Sequence, residues 1–192
     1  MNKLKLSDGE KIIISMLSDI HNEMNIDGQL NVKRVLDAMF GGHLWSLSWD
    51  YPGLFNVKED DPQEVKETVD IIDMWSFIEH SFARLNDADK DLVRAANFGH
   101  DPEFSGFDGN NENHYGIAHH LIKEMGRWEN FKGRYLNSHS RRVDGYLKMF
   151  VIFDSIRNNL GMRPNPAMTA QELVTIFEAV YPKKANANAP ES

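Results

Sequence analysis

The chain contains no cysteine. Disulfides, cysteine-ligated zinc and thiol catalysis are therefore excluded, and the redox compartment is left open. No apolar run approaches the roughly 20 residues that a membrane-spanning helix needs. No segment alternates apolar and polar residues over the length of a strand, so a sheet is not expected either. The opening stretch, MNKLKLSDGEKIIISML, has a short apolar run broken by Ser15 and followed by Asp19. It lacks the apolar core and small-residue cleavage site of a secretory signal, so the expected location is cytoplasmic, with no membrane association. Positive charge is in short supply: 21 basic residues face 29 acidic ones, a formal net charge of −8. That balance argues against charge-driven nucleic-acid binding.

What is present is the composition of a folded globular protein, with 41% apolar and 26% charged residues in 192. The length suits one domain with a sizeable core, and the expectation is a single helical domain over 1–182 followed by a disordered tail over 183–192. Periodicity is helical throughout. Ile13, Leu17, Ile20 and Met24 follow a 4-3-4 spacing on a first helix that starts near Ser7. A second helix runs from about Asn31 to Phe40 and stops at Gly41-Gly42. The aromatic-rich segment from His43 to Phe55 reads as a short helix or a packed loop.

Asp61-Pro62-Gln63-Glu64 predicts a capped helix start, and Val65, Val69, Ile72, Trp75, Ile78, Phe82 and Leu85 form the core stripe of one long central helix. Another helix follows Asn86 or Asp87. A loop then covers Gly99 to Gly109, helix resumes near Asn111, and Trp128 to Ser140 has no clean period. Tyr146 to Ile156 is apolar nearly all round, which predicts a buried central helix or an oligomer interface. Thr169 to Glu172 is a capping box that opens a last helix to about Tyr181. The fold class is all-α, with about seven helices, no sheet and no internal repeat.

Chemistry-bearing residues concentrate between Phe104 and His139. Asp108-Gly109-Asn110-Asn111-Glu112 resembles the opening of a calcium loop, but glycine at the sixth position and glutamate at the twelfth are replaced by Asn113 and His119. Capping of a helix start explains those side chains better. Four histidines (His114, His119, His120 and His139) raise the question of a metal. His120 and Glu124 share a helix face, yet the fixed spacing of a metalloprotease motif is missing, and neither a metal nor a cofactor is assigned.

Arg127 stands beside Trp128 and near Phe131, a pairing that suits a carboxylate, a phosphate or a base, or simply seals a helix end. Arg134 and His139 are separated by four residues, the arrangement that supplies the catalytic pair of HEPN-type ribonucleases. There histidine is the acid or base and arginine steadies charge on phosphate. Lys123 to Lys148 holds seven basic against three acidic side chains, a local reversal of the chain's overall sign.

Gly106-Phe107-Asp108 with Asn110, Glu112 and Tyr115, followed by Gly126-Arg127-Trp128 and Phe131, resembles the YfbU family of bacterial proteins. Val69 to Trp75, Tyr146 with Met149, and Leu6 to Glu10 add to the match, which spans roughly Leu6 to Val180. The resemblance implies an all-helical, cytoplasmic, oligomeric protein and supplies no reaction. The residues themselves predict a binding or regulatory module with a pocket of Asp108, Glu112, Tyr115, Arg127, Trp128 and His139. Its ligand would be an anionic small molecule or a protein partner. The alternatives are a metal-independent ribonuclease acting through Arg134 and His139, the one reading that brings nucleic acid in, and a purely structural homo-oligomer.

Overall fold

Capping side chains decide where four of the α-helices begin. In the computed structural model, which describes residues 5–54, 62–161 and 166–180, Ser7 and Glu10 form a reciprocal capping box that opens α1, Asp8–Glu23. Asn31 caps α2, Val32–Phe40, and Asn86 caps α5, Asp87–Ala96. Thr169 and Glu172 form a second capping box that opens α8, Ala170–Glu178. Each satisfies backbone N–H groups that a first turn otherwise leaves without partners.

The remaining α-helices are the short α3, Ser46–Asp50, the 21-residue α4, Gln63–Ala83, the short α6, His114–His119, and α7, Val143–Leu160. The protein is all-α. The single extended pairing among the described residues is the bridge between Phe107 and Asn137. The expected cap at Asp61 and the expected tail lie outside the described residues.

The chain groups into two compact units, one running up to Lys66 with Gly116–Arg134, the other comprising Glu67–Tyr115 and the chain from Tyr135 onward. In the first unit Ala38, Met39, Leu47, Leu121, Ile122 and Phe131 are buried. Helix α6 runs into a π-helical turn, His120–Glu124, in which Met125 N–H bonds the carbonyl of His120. Such widened turns frequently mark functional positions. The first helix is unusual, because Ser18 is its one buried residue.

The second unit is built on the long α4, with α5, α7 and α8 packed in the same unit. Its core is aromatic. Trp75 meets Tyr146 edge-on at 5.5 Å and lies 6.1 Å from Phe104 and 6.2 Å from Phe177. Phe107 stands edge-on to both Phe104 (5.5 Å) and Tyr146 (5.9 Å). Such pairs each contribute about 0.5–1.5 kcal/mol beyond area burial. The apolar stretch from Tyr146 to Ile156 is buried on one face only: Tyr146, Met149 and Phe153 are buried, Leu147, Phe150, Ile152 and Ile156 are half-buried, and Val151 is exposed.

A two-strand splice fastens the loops to this core. Phe107 N–H donates to the Leu136 carbonyl and Ser138 N–H to the Phe107 carbonyl, both at 2.9 Å. The backbones come so close that a Cβ on Gly106, which sits at φ +79°, would overlap the carbonyl of Leu136. Gly106→Ala is therefore expected to destabilise the protein by roughly 3 kcal/mol, from left-handed strain plus the overlap. Urea denaturation monitored by circular dichroism checks this; a loss below about 1 kcal/mol would contradict the close approach.

Candidate functional site

Glu112 is the best-connected of the residues singled out by sequence. One carboxylate oxygen accepts from the N–H of Asp108 at 2.7 Å; the other accepts from Arg142 N–H at 2.7 Å and Val143 N–H at 2.8 Å. Arg142 is the cap position of α7 and has no side-chain cap of its own. Glu112 therefore supplies the cap from another part of the chain, placing negative charge where the helix dipole favours it. Asp108, 4% exposed, accepts from Asn110 N–H and from the Asn111 amide. Those hydrogen bonds, the Asn111 amide foremost, hold its carboxyl below the ordinary carboxylate range.

Of the other predicted site residues, Tyr115 and His139 lie in the second unit and Arg127 and Trp128 in the first. Tyr115 is half-buried in the second unit, at the N-terminal end of α6. His139 is exposed, with φ +53°, and its ring bonds the Tyr135 hydroxyl at 3.0 Å. Arg127 belongs to the first unit, where its guanidinium lies 5.1 Å from the centre of the Trp49 ring. Trp128, also there, takes a left-handed conformation that opens the short turn Glu129–Phe131. Arg134 lies over Phe131 at 4.9 Å.

The histidines are individually committed. His114 bonds Glu67 at 2.9 Å in the second unit. In the first, His120 bonds Ser46 Oγ at 2.9 Å and stacks on His43, with ring centres 4.5 Å apart. Ser46 donates its hydroxyl hydrogen to the His43 carbonyl, so His120 must be the donor in its bond to Ser46. The pair is thus not arranged as nucleophile and base. Among the described residues no group of three or more His, Asp or Glu could hold a metal ion.

A concave site lies in the second unit. A cavity of about 340 Å3 is lined by Trp75, Glu103, Ser105, Arg141, Arg142 and Tyr146, with Met149, Phe177 and Val180 as an apolar wall. An open groove of about 540 Å3 shares Asn97, Glu103 and Ser105 with it. The Ser105 and Tyr146 hydroxyls pair at 2.9 Å. Two of the residues that line the cavity each carry a buried donor with no acceptor among the described residues: the indole N–H of Trp75, a residue only 5% exposed, and Nε of Arg142. A buried donor without a partner costs about 1–3 kcal/mol, so two in residues that line one cavity call for an explanation.

Sequence reasoning read Trp75 as core, put Tyr146 on a buried helix or an oligomer interface, and counted Arg141 and Arg142 only as part of a basic stretch. A signal was available. Two arginines immediately before a helix oppose its dipole, so their position there needs a reason other than helix formation.

Burial pushes the His120 imidazole down from its ordinary 6.5 to about 4, and the neighbouring His43 adds to the effect. His43 is lowered as well, by burial and then by His119. The unfolded chain therefore takes up these protons first as pH falls, and stability present above pH 6.5 is lost between there and about 4. For His120 the full loss is roughly 3 kcal/mol. Urea denaturation at pH 7.0 and 4.5 should show most of it, and His120→Gln should shrink the difference; an unchanged pH dependence in that variant would contradict the assignment.

A family model described as the YfbU domain matches residues 4–179. No curated protein and no solved structure matches the chain.

Proposed function

The chain belongs to the YfbU family, and we propose that this member is a binding module with a regulatory role whose ligand is a small organic anion held in the cavity of the second unit. The observation that carries this reading is that two residues lining the cavity, Trp75 and Arg142, each hold a buried donor, Nε1 and Nε, without an acceptor among the described residues. Donors without acceptors select an acceptor-rich group, and a guanidinium favours one that is charged. Arg141 and Arg142 against Glu103 leave the lining with one net positive charge. Met149, Phe177 and Val180 add an apolar wall, so the ligand is a monocarboxylate with an apolar body. The volume falls at the small end of the range for small-molecule pockets.

In this reading the protein acts in the cytoplasm as a homo-oligomer. No helix among the described residues is long and apolar enough to cross a membrane.

Thermal denaturation with millimolar hexanoate, benzoate or inorganic phosphate tests the proposal. Hexanoate or benzoate should raise Tm by several degrees, as binding to the native state alone requires. Phosphate, without an apolar body, should do little. Arg142→Met should weaken carboxylate binding by about 10- to 100-fold, and Trp75→Phe by about tenfold, through loss of one hydrogen bond each. Failure of both carboxylates to shift Tm, or equal shifts in both variants, would sink the reading.

A further inference from the structure

The first helix faces the wrong way for a core element. It turns Ser18 inward, with Ile14 and Ser15 half-buried, while Ile12, Ile13, Met16, Leu17, Ile20 and Met24 are between 50 and 66% exposed. This face is continuous along the helix, and the 4-3-4 spacing of Ile13, Leu17, Ile20 and Met24 is the seam pattern of paired helices. Ile26 and Leu30, each more than 40% exposed, extend the apolar surface beyond the helix end. An exposed apolar patch of this size marks an interaction surface.

We propose that α1 is the self-association surface of this protein, pairing with α1 of a second copy in antiparallel orientation about a two-fold axis near Met16 and Leu17. Area is the first argument. Six such side chains offer roughly 80 Å2 of apolar surface each. A symmetric pair then covers about 1,000 Å2, the threshold of a specific interface, before Ile26 and Leu30 are counted.

Charge is the second. A two-fold axis at that point sets Ile13 against Ile20 of the other copy and opposes the two helix dipoles, whereas a parallel pair would align the dipoles and bring the two acidic first turns, each with Asp8 and Glu10, together. The helix carries Asp8, Glu10, Asp19 and Glu23 against Lys11 alone, which disfavours an anionic lipid surface as the occupant. The contact is isologous, so it closes at two copies.

This inference rests on the homo-oligomer part of the reading above and not on the cavity, so its failure would leave the carboxylate titration unaffected. Light scattering on the full-length protein at about 50 µM should give a dimer mass. Leu17→Glu, at a site already exposed, should give a monomer with an unchanged circular dichroism spectrum. Ile13→Glu should raise the dimer Kd about tenfold or more, and adding Ile20→Lys should restore part of it, because only an antiparallel pair sets these two positions against each other. A wild-type monomer, a Leu17→Glu dimer, a parallel pair by cross-linking, or binding of α1 to anionic vesicles in place of self-association would overturn the proposal.

Discussion

The carboxylate of Glu112 is the fastening on which the second unit depends. It receives three backbone N–H groups, one from the loop at Asp108 and two from the first residues of α7. Charge-assisted bonds of this kind are worth about 1.5–3 kcal/mol each. Their architectural effect is larger than their energy. They fix the start of α7, which sets Arg142 on the cavity wall and Tyr146 edge-on to Trp75. With its backbone N–H already bonded to Glu112, Arg142 keeps a buried Nε that no described residue accepts.

Four of the residues that carry the family resemblance belong to this fastening. Gly106 permits the close approach to Leu136, Phe107 joins the splice and the aromatic core, Asp108 closes its own turn, and Glu112 caps α7. Trp75, Tyr146 and Met149, which also carry the resemblance, line the cavity itself.

Helices with their own signals were legible in the sequence. Ser7 with Glu10, Asn31, Asn86, and Thr169 with Glu172 mark starts that the structure places within a residue, because a cap acts over three positions of local chain. The cavity was not legible, for the opposite reason. Its lining comes from Trp75, Glu103, Tyr146 and Phe177, residues joined only by packing. An apolar stripe shows that Trp75 is buried but says nothing about whether its N–H finds an acceptor. Likewise, the spacing of His119 and His120 gives no hint of the π-helical turn that follows, nor that Ser46, distant in sequence, holds His120. For α1 the periodic face was plain, while only the structure shows that this face is uncovered.

The most direct measurement is the 1H–15N spectrum of the four tryptophan indoles, with Trp75 assigned from its disappearance in Trp75→Phe. In the ligand-free protein its indole proton should lie at the high-field end of the set, as an N–H without an acceptor does. Titration with hexanoate or benzoate should move it downfield as a hydrogen bond forms, with the other three nearly still. A Trp75 indole that already resonates downfield and does not move at saturating carboxylate would contradict the claim that this cavity awaits an anionic ligand.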